Sequence, residues 1–114
     1  MKKSIVIVLI LIFSSLKLSA QDISISGSQI RLEDKNAEIT SQTIRITKTM
    51  TIVSVSGNNA GFWINKNGNP EKAFWTETQA EQAIGYKLQP GVYQVFPNLK
   101  ADENKADVTI LLRK

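Results

Sequence analysis

The 114-residue chain contains no cysteine and no histidine. Without cysteine there is no disulfide framework, no thiolate nucleophile and no lipid-modified cysteine, which excludes a bacterial lipoprotein. Without histidine the side chain that titrates nearest neutrality is missing, and the usual general base goes with it. The two absences together remove the common zinc ligands. Proline is scarce, at three residues. Aromatics are few, yet both tryptophans and two of the four phenylalanines fall within residues 61–75.

A strong charge of either sign is also lacking. The formal net charge of +4 includes Lys2, Lys3 and Lys17 near the N-terminus. Beyond residue 20, eleven Lys and Arg face ten Asp and Glu, scattered along the chain. No polybasic stripe is present, so nucleic acid is not an expected partner.

The N-terminus carries what the rest of the chain does not, a long hydrophobic run. Met1-Lys2-Lys3 is followed by an unbroken apolar stretch from Ile5 to Phe13, then by Ser14 to Ala20. A basic head, a short apolar centre and a small residue at the cut describe a Sec-type signal peptide over residues 1–20. The apolar centre is short of the ~30 Å hydrocarbon core of a bilayer. Cleavage is expected after Ala20, although Leu18 sits where a smaller residue is preferred, which lets the cut move by a residue or two. An uncleaved anchor is the alternative. Residues 21–114 are then one secreted or periplasmic domain, with no membrane-spanning segment after cleavage and no cofactor.

Periodicity two dominates that domain, and Ile, Val and Thr are abundant, so strands are expected throughout. Ile23 and Ile25, then Ile30 and Leu32, alternate in the first segment. In "AEITSQTIRIT" the parity changes between Ile39 and Ile44, which predicts a bulge or break near Ser41-Gln42. "TMTIVSVS" is apolar on both phases, the mark of a central or kinked strand. Thr78 followed by Glu81 suggests a capping box for one short helix over residues 79–84, ended by Gly85. Pro90-Gly91 suits a type II turn, with Gly91 at positive φ. Pro97 closes the following strand, and Ala106, Val108, Ile110 and Leu112 share one phase of the last. Eight or nine short strands with frequent turns predict an all-β fold: a small two-sheet antiparallel sandwich, jelly-roll or Ig-like. A small β-barrel is the alternative.

Within this pattern, "TIVSVSG", "LQPGVYQVFPN" and "ADVTILL" resemble the bacterial pre-peptidase C-terminal domain and related β-sandwich modules. The matching positions are Leu88, Pro90, Gly91, Tyr93 and Val95, then Val108, Thr109 and Ile110, within Thr51 to Leu112. The resemblance implies a secreted β-sandwich accessory module. The acidic, metal-associated motif usual in that family is replaced here by "GFWINKN", so no site is carried over.

Catalytic chemistry is poorly supplied. Glu77 and Glu81 lie in a polar stretch, as do Asp102 and Glu103, and read as solvated surface carboxylates. Asp102, Glu103, Asn104 and Asp107 are oxygen donors without the alternation or glycine turn of a calcium loop. The Ser and Thr runs read as a solvated sheet face.

The remaining feature is the doubled dipeptide, Phe62-Trp63 and Phe74-Trp75, on the two arms of a hairpin. A two-residue Asn67-Gly68 turn places Lys66 opposite Asn69 and puts one Phe and one Trp on each face. A five-residue loop over Asn67–Glu71 places Lys66 opposite Lys72. It puts Trp63 opposite Trp75 with Asn65 beside them, and Phe62, Ile64 and Phe74 on the other face. The second register segregates the residues better and frees Pro70 from the ladder, so it is the expectation. Trp63, Trp75 and Asn65 are then the candidate ligand-binding residues, for a glycan or a protein surface. Tyr86, Tyr93 and Phe96 are expected in the core or at its rim. The expected function is a non-catalytic binding module. The alternative is an envelope subunit or inhibitor acting through protein contacts, with an exposed strand edge as its mark.

Overall fold

Alternating apolar residues build nine strands and one short helix in the computed structural model, which describes residues 22–34, 36–57 and 60–114. The expected signal peptide, residues 1–20, lies outside the described residues. The strands are β1 (Asp22–Arg31), β2 (Ala37–Ser41), β3 (Ile44–Ile46), β4 (Met50–Ser56), β5 (Phe62–Lys66) and β6 (Asn69–Phe74). The helix α1 (Glu77–Glu81) follows, then β7 (Lys87–Leu88), β8 (Gly91–Pro97) and β9 (Lys105–Arg113).

The strands form two antiparallel sheets, ordered β2-β1-β9-β4-β7 and β3-β8-β5-β6. Their inward faces meet in one core. β9 supplies Ala106, Val108, Ile110 and Leu112 from alternate positions, all buried. Phe62, Ile64, Tyr93 and Val95 come from the opposite sheet. Each fully buried Ile, Leu or Phe contributes roughly 1.5–3 kcal/mol relative to exposure. The two-sheet sandwich expected from the periodicity is the fold.

The parity change after Ile39 is a change of sheet. β2 belongs to the first sheet and β3 to the second. At the crossing the Ser41 hydroxyl accepts a hydrogen bond from Val95 N–H (2.9 Å) and donates to Gln42 C=O (2.7 Å). Ser41 thereby serves the β8 backbone beyond the end of β3, where a bare N–H would be costly. Gly27 lies at the same margin. A Cβ there would stand 1.8 Å from Val95 O, so the two sheets touch through backbone at β1 and β8.

β4 is apolar on both phases because it is both central and bulged: Ile52 pairs with Leu112 and Ser54 with Leu111, leaving Val53 over. The Pro90-Gly91 expectation fails. Gly91 does not take a positive φ; it starts β8, packed beneath the Lys66 side chain, where a Cβ would lie 2.9 Å from Cε. β7 and β8 lie in different sheets, so Pro90 and Gly91 carry a crossover rather than a hairpin. The Tyr93 hydroxyl donates to Gln89 C=O and ties this crossover to the core.

The helix begins two residues earlier than expected, at Glu77. Thr76, not Thr78, is the N-cap, and its hydroxyl accepts from Gln79 N–H (3.0 Å). Thr76 and Gln79 stand at capping-box spacing, and the Gln79 carboxamide reaches back to Trp75 N–H (2.7 Å). The helix ends at Glu81 with Gln82 as its C-cap, short of the expected end at Ile84, and Gly85, at φ +97°, lies beyond it in a turn and donates to Ile52 C=O.

Candidate functional site

The β5–β6 hairpin turns at Asn67-Gly68, both with positive φ (52° and 83°), the requirement of a type I′ turn. Lys66 pairs with Asn69 and Asn65 with Pro70. The register then shifts: Ile64 pairs with Lys72, Trp63 with Ala73 and Phe62 with Phe74. Glu71 is the extra residue of a β-bulge. The expected five-residue loop, with Lys66 opposite Lys72 and Trp63 opposite Trp75, does not form.

Pro70 had argued against the tight turn, and its position answers the objection. Antiparallel pairs alternate between hydrogen-bonded and non-hydrogen-bonded. Next to the Lys66–Asn69 pair that closes the turn, Asn65–Pro70 is of the second kind, so the proline nitrogen faces away from β5. β6 is an edge strand, where no ladder bond is lost.

The bulge reverses the parity of everything beyond it. Phe62, Ile64 and Phe74 are buried on the core side, and the Phe62 and Phe74 rings lie 5.1 Å apart. Trp63, Ala73 and Trp75 take the outer side. The segregation expected of the longer loop is thus reached with the shorter turn. Trp75 stands diagonal to Trp63, just past the end of β6, with ring centroids 6.1 Å apart and planes tilted by 41°. Trp75 is 56% exposed and Trp63 is half-buried.

Trp63 also stacks on Phe96 of β8, at 5.4 Å and 30°. Phe96 is half-buried on this outer face, not in the core. Strand alternation carried the signal: Tyr93, Val95 and Pro97 point inward, so Phe96 points out. Tyr93 is in the core, where burial pushes its phenol pKa up. Tyr86 is at the rim, edge-on to Phe74 at 5.9 Å.

Two devices set Trp75. Its backbone N–H is held by Gln79, the first turn of α1 acting as a clamp. Behind it lies Gly61, at φ +104°, where a Cβ would stand 2.2 Å from Phe74 O and 2.6 Å from Trp75 C. Only glycine lets the two chain segments pass this closely.

Trp63, Pro70, Glu71, Lys72, Ala73 and Trp75 line a groove of about 370 Å³. Its floor is indole and proline; Glu71 and Lys72 supply one charge of each sign. The Lys72 ammonium sits 5.6 Å from the Phe74 ring centre, in cation–π range. Asn65, on the same face and half-buried, has its Oδ1 buried without a hydrogen-bond partner. An unpaired buried acceptor costs about 1–3 kcal/mol.

The other candidate chemistries do not assemble. Among the described residues no group of three or more Asp and Glu converges on a metal-sized site. Glu103 pairs with Lys100 at 3.8 Å, and Asp107 lies within β9. The serine and threonine hydroxyls on the outer face of the first sheet bond to one another, Ser26 to Thr109 at 2.9 Å and Ser28 to Thr40 at 2.7 Å. Comparison of the chain with protein-family models, curated proteins and solved structures returned no match.

Proposed function

We propose that the protein is a secreted, non-catalytic binding module that holds a carbohydrate against Trp63 and Trp75. The observation that carries this reading is the pair of neighbouring indoles on the outer sheet face, one of them 56% exposed, beside a groove with an apolar floor. Leaving an indole wet is unfavourable unless something covers it part of the time. A pyranose has the matching chemistry. One face is a set of C–H bonds that lies flat on an aromatic ring, and its edge is a ring of hydroxyls. Glu71 and Lys72 are hydrogen-bonding groups around such an edge. With one positive and one negative side chain at the groove, a polyanion gains no net attraction, which argues against nucleic acid. The resemblance of Thr51–Leu112 to secreted accessory sandwiches points the same way.

A glycan array probed with the purified protein, followed by titration of tryptophan fluorescence with the best hit, tests the proposal. Binding that Trp75→Ala reduces at least tenfold, with the fold intact by circular dichroism, supports it. Binding that survives Trp75→Ala, or an array with no hit, overturns it.

A further inference from the structure

A sandwich with two open sheets has four edges, and an unguarded edge is a template for another strand. Three of the four are guarded here. β7 is two residues long and β3 three. β6 carries Pro70, the Glu71 bulge and Lys72. The fourth, β2, has five regular residues, Ala37–Ser41, with no proline, lysine or bulge, and four of the five are exposed. Among the described residues no strand pairs with its outer side.

The direction of its backbone groups follows from its pairing with β1. Gln42 N–H donates to Ser26 C=O (2.9 Å), and Leu32 N–H to Asn36 C=O (2.7 Å). Those pairs, and every second pair between them in the register, are the hydrogen-bonded ones. Glu38 and Thr40 therefore bond to β1, while Ala37, Ile39 and Ser41 turn their N–H and C=O groups outward. Ile39 sits at the centre of that row and is 44% exposed.

We propose that β2 is a docking edge for a second copy of this chain, joined antiparallel about a two-fold axis at Ile39. This goes beyond the carbohydrate reading and does not depend on it. Charge excludes one register and the exposed Ile39 selects among the rest. Centred on Ile39, the pairing sets each Glu38 opposite a Thr40 and each Ala37 opposite a Ser41. Centred one residue earlier, it would set two Glu38 carboxylates face to face, which like-charge repulsion disfavours. The Ile39 register also places the two exposed isoleucine side chains together, and a two-fold contact requires such a self-complementary patch. The two five-stranded sheets become one continuous sheet, and the Trp63–Trp75 grooves, in the other sheet of each copy, remain open.

Sedimentation velocity of the full chain over a wide concentration range tests this. The wild-type protein is expected to pass from monomer to dimer as concentration rises. Ile39→Pro is the informative variant. The Ile39 N–H faces outward, so proline removes no bond within the monomer but blocks the centre of the edge. It is expected to weaken dimerisation at least tenfold. Should that variant fail to fold by circular dichroism, Ile39→Lys, a charge at the same central position, decides the matter with the same expectation. A wild-type protein that stays monomeric at the highest soluble concentration overturns the proposal. So does a dimer that folded Ile39 variants leave intact, or one that Trp75→Ala abolishes, since that interface would be the aromatic face.

Discussion

Trp63 and Trp75 lie 6.1 Å apart on the same face of the sheet, although Trp63 pairs across the ladder with Ala73. Glu71 makes this possible. One extra residue in β6 converts a tight Asn67-Gly68 turn, which alone would split the tryptophans between faces, into a hairpin that gathers them. The same residue sends Phe62 and Phe74 together into the core.

Deleting Glu71 therefore acts far beyond its own side chain. Without the bulge the parity of β6 reverses, and Phe74 turns toward solvent or the hairpin slips. The expected loss is about 3–5 kcal/mol, the scale of removing a buried phenylalanine. Urea denaturation measures it. Glu71→Ala keeps the residue count and is expected to stay within about 1 kcal/mol of wild type.

Gly61→Ala tests the close passage behind Trp75. The added methyl meets Phe74 O at 2.2 Å, at a φ of +104° that alanine resists. A destabilisation of about 1–3 kcal/mol is expected from the backbone strain, and more if the crossing must open. Trp75 emission is expected to shift with it. A fully stable variant with unchanged emission would show that the crossing is not tight.

The two tryptophans differ in exposure, and acrylamide quenching should resolve them. Trp75 is expected to quench readily and Trp63, held between Trp75 and Phe96, poorly. Trp75→Ala should remove the readily quenched component and leave Trp63 alone, less protected than in the wild type because one covering ring is gone. It should also cost little stability, because an exposed side chain adds little to folding. A single uniformly protected component in the wild type would contradict the arrangement.

Acid sensitivity is expected at Asp22. Its carboxylate receives two hydrogen bonds from Arg113, both at 3.0 Å, and these hold its pKa below the ordinary 3.8. The unfolded chain therefore binds the proton more readily than the native one. The pair's contribution is fully present above the unfolded value and is lost as pH falls through the lowered native pKa. Arg113 is exposed and Asp22 half-buried at the sheet margin, where solvent screens the pair, so the effect on stability is small. NMR titration of the Asp22 carboxyl checks the direction, and Arg113→Ala should return the midpoint toward 3.8.

Much of the sandwich could be read from alternation. β9 was legible because every inward position is apolar and, Leu111 apart, every neighbour is polar or charged. The break after Ile39 was legible as a change of parity. Pro90-Gly91 misled because turn chemistry is local, whereas the sheet that a strand joins is not. Phe96, expected in the core or at its rim together with Tyr86 and Tyr93, follows the alternation of its own strand and turns outward. The helix was found, but its cap was placed at Thr78 because two overlapping Thr-to-acid-or-amide spacings compete, and only packing of Ala80 and Ala83 into the core selects Thr76.

Side-chain period and turn residues are properties of a few consecutive positions, so the sequence alone determined that this chain makes short strands and that a turn beginning at Asn67 joins two of them, without deciding between the two-residue turn and the longer loop. It also determined that Phe62-Trp63 and Phe74-Trp75 share a hairpin. Which face each ring takes depends on a pairing register, and a shift of one residue exchanges the faces. That choice was made by the whole sandwich. The core needed Phe62, Ile64 and Phe74 on one side at once, and the bulge at Glu71 is the local distortion that satisfied both this demand and the turn.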